Sequence, residues 1–571
     1  MAAHTFDELL THLGTGWWNV MYIAALCLRL TLHPSQSISV VYLAPWHDHT
    51  CVPDPAHLNQ TVSRETCHYV IEKPATEGEG GDGDGRAGGE GGRREMLEIP
   101  CTQWEFNTST FTSTLTSEFE WVCERDHLRA TYQGVYMLST AITPLLSGYL
   151  ADRFGRMKVL VASHVALSVT SISLSFVHSV PLIFLLRFFT GSSEIMTGLV
   201  LTLEVCEPRH RVAVGVLTGI AWSAGTMLWG TLAYFIRGWR HLQLAASLPT
   251  LLAFPILLFM DESPRWLIVR GRFEKAKRVL EKAARWNKKT LPPEDQLDNL
   301  FSRIYSEETE EMKKESPHTP PPEDADVVAH KRCCRRHRLC WNKNIALVTI
   351  INCMIYFCVA LVFDGLNLAG DLYSDDPFLY LILGGLVEVP GILFAAPLIH
   401  HLGRKGPLVA CLFGSGVVNV ALSVLPAAHV TTSLVLAMMG KLLVCAAFQI
   451  LYVYSNELFP TEVRVSGVEG ASAVGQVGAL MAPYFSTYLG PLVSWLPSAV
   501  YGGLSIASSC ATLLLRETKD KPLPDTIADL DAAVRKRNLR TEIGDINSVE
   551  GRYKISEMAT LREWGVRSVE A

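Results

Sequence analysis

Gly148-Tyr-Leu-Ala-Asp152-Arg-Phe-Gly155-Arg156 is the stretch on which the fold turns. It joins two long apolar runs. Gly148 permits close helix approach, and Gly155 lets the chain turn tightly. Asp152 and Arg156 can bridge neighbouring helix ends. A degenerate copy, Pro397-Leu-Ile-His400-His401-Leu-Gly403-Arg404-Lys405, stands later in the chain, again between two apolar runs. A charged turn repeated at equivalent places points to two related halves.

Outward from these turns, apolar runs of about 20 residues recur, the length that crosses a bilayer at 1.5 Å per residue. They centre on Leu26, Ala141, Leu167, Met196, Gly225, Leu252, Cys358, Leu386, Gly416, Leu443, Gly478 and Ser505. The chain of 571 residues is 49% hydrophobic; soluble chains also reach that fraction, so the spacing of the runs decides the class. The expected product is an all-α membrane protein with twelve transmembrane helices in two six-helix halves. Its predicted parts are a cytoplasmic N-terminus at 1–17, a first half at 18–260, a cytoplasmic loop at 261–342, a second half at 343–516 and a cytoplasmic tail at 517–571. Met1 to Gly16 is polar and has no basic n-region, so the first apolar run reads as a signal anchor and first span.

Basic residues fix the orientation. Arg153, Arg156 and Lys158 follow span two, Arg209 and Arg211 follow span four, and Arg404, Lys405 and Arg464 follow later even-numbered spans. Cytoplasmic loops carry such an excess, which puts these loops and both termini inside; Arg237 and Arg240 are the exception. The outer loop at 45–128 then holds two sequons, at Asn59 and Asn107, and four cysteines, Cys51, Cys67, Cys101 and Cys123. Four cysteines in one segment predict two disulfides with three pairings open, in an oxidising compartment. The Gly/Glu/Asp-rich insert from Glu77 to Arg94 buries nothing and is expected to be disordered. On the inner side, Arg272 to Asn287 reads as a basic amphipathic helix lying on the membrane surface.

A net charge of −6 gives no sign of nucleic-acid binding. No P-loop is present, which excludes ATP hydrolysis as the energy source, and no nucleophile–base motif suggests an enzyme. The cluster around Cys333, Cys334, His337 and Cys340 has adjacent cysteines amid dense positive charge. That favours contact with anionic lipid over a metal site. No cofactor is expected beyond a coupling ion, H+ or Na+.

Several motifs, together and in order, resemble one family. Cys101-Thr-Gln-Trp104-Glu-Phe106 and Glu118-Phe-Glu-Trp-Val-Cys123 precede span two, and Glu262-Ser-Pro-Arg-Trp-Leu267 follows span six. Val387-Glu388-Val-Pro390 lies in span eight, and Asn456-Glu457-Leu-Phe-Pro460-Thr461-Glu-Val-Arg464 follows span ten. From Val41 to Thr518 the chain is similar to the organic cation, anion and zwitterion transporters of the major facilitator superfamily, solute carrier family 22. The resemblance implies the major facilitator fold and a plasma-membrane, multi-pass, glycosylated carrier whose halves rock about a central cavity. It makes Asp152, Arg156, Glu204, Arg211, Glu262, Arg265, Arg404, Glu457 and Arg464 candidates for inner-face gating. His400 and His401 replace the usual Asp-Arg, so the second latch is expected to be weaker.

The cavity residues carry the substrate question. Gln476 stands where cation carriers of the family place Asp and anion carriers often place Arg, so it supplies no charge. A charge at the bilayer centre costs at least about 2.5–3.5 kcal/mol, so each must line the cavity or find a partner. Asp364 in span seven is a candidate cation or proton site, or else lies at the wet outer end of its helix. Glu388 is a candidate substrate acid, or a structural partner of Lys441. Gln449 matches a cavity residue of the cation branch. Tyr356, Tyr452 and Trp222 offer faces that attract organic cations, or simply pack. Arg29 and Glu194 could pair across the first half. The expected partners are a small organic ion, with cations or zwitterions favoured, and membrane lipid; no sequence feature sets an oligomeric state. The alternatives are an organic anion carrier and a transporter-like receptor or scaffold that no longer transports.

Overall fold

The first span is assembled from three helical pieces, Trp17–Leu32, Pro34–Ser37 and Val40–Leu43. Pro34 has no amide hydrogen to continue the ladder, which breaks the helix there. The computed structural model describes residues 2–57, 61–73, 95–193, 197–314, 342–425, 429–460, 463–490, 493 and 495–521. The Gly-rich insert, Asn59, Glu194 and the basic cysteine cluster lie outside these.

Spans two to six are His127–Phe154, Arg156–Leu174, Val180–Val205, Arg211–Phe235 and Trp239–Phe259. Spans seven to twelve are Lys343–Leu368, Pro377–Leu402, Lys405–Val424, Val430–Leu458, Arg464–Tyr484 and Leu496–Thr512. Every apolar run read from the sequence is one of these. Eight of the described helices are long and apolar enough to cross a membrane alone. The remaining four passes fall short for local reasons: span one is broken, span two holds Gln133 and several Ser, Thr and Tyr residues in its charge-free middle, span eleven is rich in small residues, and span twelve has only 17 residues.

The halves meet along span five against span eight and span two against span eleven. Gly385 permits the first contact, because a Cβ there would sit 2.9 Å from the Ser223 carbonyl oxygen. On the outer side the seam is sealed. Tyr42 stacks on Phe378 at 5.4 Å, its hydroxyl donates to the Pro377 carbonyl at 3.1 Å, and Arg237 lies over the Phe378 ring at 5.0 Å. On the inner side, the space where a Cβ of Gly148, Gly215 or Gly470 would project is open to 4 Å among the described residues. The seam between the halves is thus packed most closely on the side of the disulfide-linked loop.

Among the described residues the outer loop adds to these spans five short strands and a helical turn, Leu115–Glu118. β1 (His49–Cys51) pairs antiparallel with β5 (Trp104–Phe106), while β2 (Thr61–Arg64), β3 (His68–Lys73) and β4 (Glu95–Pro100) form a second sheet. Disulfides join Cys51 to Cys101 and Cys67 to Cys123. This small domain is tied to the first half. The Thr112 amide donates to the Arg237 carbonyl, the Trp239 amide to the Ser113 carbonyl, and Glu118 pairs with Arg240.

His47 sits buried where this domain meets the membrane. Its Nε2–H donates to the Asn107 carbonyl at 2.6 Å. Burial disfavours the imidazolium and holds its pKa below the usual histidine value. With a folded-state pKa below the unfolded one, His47 contributes full stability above about pH 6.5, and that contribution falls as pH drops toward the folded value. The protection of the β1 and β5 amides, taken relative to the base-catalysed intrinsic exchange rate at each pH, should therefore be lower at pH 5 than at pH 7.5, and His47→Phe should flatten that dependence. Hydrogen exchange followed by mass spectrometry reads it.

At the end of the spans opposite the disulfide-linked loop, helices Pro264–Val269, Phe273–Asn287 and Glu294–Lys314 pack with the N-terminal helix Ala2–Leu13. Phe6, Leu9, Leu10 and Leu13 fill the apolar face that Ala276, Leu280 and Ala284 present. The Phe273–Asn287 helix is thus partnered by protein, not laid on lipid as its periodicity suggests; periodicity reports an apolar face, not what covers it. Asp7–Arg211 at 2.6 Å, Lys282–Asp261 at 2.7 Å and the Asn287 amide on the Gly14 carbonyl at 3.0 Å fasten this bundle to the first half.

Candidate functional site at the seam between the halves

Span eight buries one acid in its middle and span ten one base. The Lys441 ammonium lies 3.1 Å from the Glu388 carboxylate, with side-chain exposures of 0% and 1%. Ser223 of span five donates its hydroxyl to the other Glu388 oxygen at 3.1 Å. Glu388 therefore pairs within the second half and is hydrogen-bonded across the seam by the first. Asp364 is half-buried and interacts electrostatically with both Lys441 and Glu388. It belongs to the same charge group. Two acids and one base leave the group with a formal charge of −1.

The other sequence-predicted cavity residues divide. Trp222, beside Ser223, is half-buried and its ring meets the His33 ring at 5.0 Å. Gln449 and Gln476 are half-buried, and Tyr452 is 55% exposed. Tyr356 is different. It is buried in the core of the second half, with its backbone and Cβ packed against Gly475 of span eleven, and presents no open ring face.

Sequence reading overlooked Arg187. It is fully buried in span four, with its guanidinium over the rings of Tyr132 and Tyr136 at 4.6 and 4.2 Å. It donates to the Gln36 carbonyl at 2.7 Å and to the Gln133 side-chain oxygen at 3.2 Å. An arginine inside the apolar run Phe184-Leu-Leu-Arg187-Phe-Phe was the available signal. Arg29, a possible partner of Glu194 from the sequence, donates to the Ser193 carbonyl at 2.8 Å and to Ser163 at 3.4 Å; Glu194 itself lies outside the described residues.

At the inner face the two halves use one design. Gly155 and Gly403 take positive φ, 108° and 89°, ending spans two and eight. The amides that open the next helix are received by a carboxylate from the end of each half. Glu262 accepts from Arg156 and Met157 at 2.8 and 3.0 Å, and Glu517 accepts from Arg404 and Lys405 at 3.0 Å each. Helix N-termini favour negative charge there. Burial raises the cost of the Glu517 charge, but four backbone amides outweigh it and hold the carboxyl below the usual range.

Each half then adds an ion pair, Arg156–Glu204 at 2.8 Å and Arg404–Glu457 at 2.9 Å. The second latch keeps its arginine–glutamate contact despite His400 and His401. Arg265 interacts electrostatically with Glu204. Arg464 donates to the Phe459 carbonyl at 3.3 Å, and Arg211 pairs with Asp7, not with another gating residue. Asp152 is 63% exposed and lies 3.6 Å from Arg156.

Residues 103–526 match the sugar (and other) transporter family. Solute carrier family 22 member 7 of Bos taurus is 30% identical to this chain, over 94% of this chain and 98% of its own. Organic cation/carnitine transporter 2 of Homo sapiens is also 30% identical, over 91% and 93% respectively. Among solved structures, the partially occluded inward-open xylose transporter XylE of E. coli aligns with a TM-score of 0.57 over 90% of this chain and 100% of that one. At 15% identity that likeness concerns the fold alone.

Proposed function

Because this chain belongs to the sugar (and other) transporter family, and within it to solute carrier family 22, we propose that it moves a small organic cation or zwitterion across the plasma membrane by alternating access. It is a membrane transporter of the major facilitator type, not an enzyme. The observation that carries the substrate reading is the Glu388–Lys441 pair, held across the seam by Ser223, with Asp364 in the same charge group. A cationic group entering the cavity competes with Lys441 for Glu388. The contact with Ser223 breaks when the halves part, so occupancy and rocking share one residue. A ligand shifts such an equilibrium only through its different affinity for the two states.

The inner ion pairs serve as latches in this reading. Exposed pairs are worth about 0–1 kcal/mol each, so the two halves act through several together. Both termini lie in the cytoplasm, and Asn107, which is exposed, carries glycan outside.

Uptake tests the proposal. With the protein at the surface of cells, labelled organic cations, zwitterions and anions are compared with and without pH or sodium gradients. Saturable cation or zwitterion flux that falls at least about tenfold in Asp364→Asn, with surface expression unchanged, is the expected result. Flux of anions alone overturns the substrate class. Absence of flux for every class favours a non-transporting receptor.

A further inference from the structure

In the outer domain one imidazole nitrogen faces sulfur. His49 lies on β1 and is buried, 6% exposed. Its Nδ1–H donates to the His47 carbonyl at 2.8 Å, a contact that only an N–H can make. Nε2 therefore carries a lone pair, and it lies 3.9 Å from Cys123 Sγ. That sulfur is bonded to Cys67 and has no hydrogen to give. The buried acceptor thus meets no donor among the described residues, which calls for an explanation. Trp46 at 5.8 Å and Phe106 at 5.9 Å hold the ring in this orientation.

His49 Nε2, Cys67 Sγ and Cys123 Sγ all lie within 4.8 Å of one another. Tetrahedral zinc, with Zn–S of about 2.3 Å and Zn–N of about 2.0–2.1 Å, sets an N···S edge of roughly 3.6 Å and an S···S edge of roughly 3.8 Å. The 3.9 Å between Nε2 and Cys123 is already close to such an edge. Only the two sulfurs must part. An N–H given to a backbone carbonyl is also the contact that orients metal-bound histidines. The other disulfide is placed differently. Cys51 is fully buried in an apolar cluster with Tyr69 and Ile71, whereas Cys67 and Cys123 are each half-buried and within reach of a small thiol.

We infer that the Cys67–Cys123 disulfide masks a zinc site: once an external dithiol has cleaved it, the two cysteines and His49 together bind one zinc ion. In the first step the dithiol is oxidised to its cyclic disulfide. It supplies two electrons and two protons, the Cys67–Cys123 bond breaks, and two thiols result. In the second step the metal displaces both thiol protons and is held by Cys67 Sγ, Cys123 Sγ and His49 Nε2, with water in the fourth position. Two thiolates and an imidazole select zinc over the calcium or magnesium that oxygen ligands hold. The consequence is structural. Cys67 stands between β2 and β3, and Cys123 stands shortly before span two. The metal restores in the reduced protein the tie that the disulfide makes in the oxidised one, so the domain keeps its seat in either state.

This site is independent of the transport reading, and the purified full chain tests it. After treatment with a dithiol and its removal under argon, the protein should take up one zinc ion per chain, and cobalt(II) in its place should give the near-ultraviolet charge-transfer band of thiolate ligation. Untreated protein should bind neither. Zinc should slow the alkylation of Cys67 and Cys123, mapped by mass spectrometry, at least about tenfold and leave that of Cys101 unchanged. His49→Phe keeps a ring between Trp46 and Phe106. It should weaken zinc binding at least about a hundredfold, more than the loss of an outer hydrogen-bond partner costs. If that variant fails to fold, judged by its melting in the oxidised state, the alkylation of the native chain decides. Any one of four results overturns the site: a Cys67–Cys123 bond that resists the dithiol until the protein unfolds, no zinc uptake after reduction, alkylation rates that zinc leaves unchanged, or undiminished affinity in folded His49→Phe.

Discussion

Replacing Glu388 by glutamine is expected to destabilise the protein by about 3–5 kcal/mol and to abolish uptake. The cause is Lys441. With 0% exposure and its partner neutral, the ammonium would remain buried with only Asp364 in electrostatic range. The double variant Glu388→Gln/Lys441→Met separates structure from transport. Both charges are then gone, the Ser223 hydroxyl still has an amide oxygen to donate to, and thermal stability should return to within about 2 kcal/mol of the native protein. Uptake should not return, because the acid that attracts the substrate is missing. Recovery of flux in the double variant would show that the pair is scaffolding only. Melting of the purified protein and cellular uptake, measured side by side, give the two answers.

Gly155→Ala has the second largest expected effect, about 2–4 kcal/mol. A φ of 108° is a region that L side chains rarely adopt, and forcing one into it costs about 1–3 kcal/mol. The added methyl would also collide with the Glu262 carboxylate. That carboxylate receives the amides of Arg156, Met157 and Ser263, so its displacement uncaps the start of span three. Gly403→Ala should act in the same direction through Glu517, with a smaller loss. A Cβ there would approach that carboxylate only to 3.0 Å. If Gly155→Ala melts within 1 °C of the native protein, the turn is not the constraint described here.

The twelve passes were legible because lipid imposes length and apolarity locally, and each run carries that signal by itself. The seam acid was legible for the same reason: Glu388 is conspicuous in an apolar helix. Its mate Lys441, 53 residues away, was named from sequence as an alternative role, and the 3.1 Å contact gives that role its geometry. What escaped is non-local. Glu517 is an ordinary charge after span twelve until the two halves are superposed and it matches Glu262. Arg187 satisfies no motif. The strands of the outer domain are three to six residues long and held by two cross-links, too short to show a clear alternation. The burial of the cytoplasmic helix against Phe6 and Leu9 depends on a partner more than 250 positions away in sequence.

The two six-helix units do not bear equal loads. The first unit carries the disulfide-linked cap on one face of the membrane, through Thr112, Ser113 and Glu118, and the four-helix assembly on the other, through Asp7, Asp261 and Asn287. Cap and assembly are both fastened to this one unit, so the rocking proposed above would carry them together in opposite senses. Under the alternating access proposed above, a ligand gripping the cap would therefore bias the assembly at the far end of the same unit without any change of helix structure.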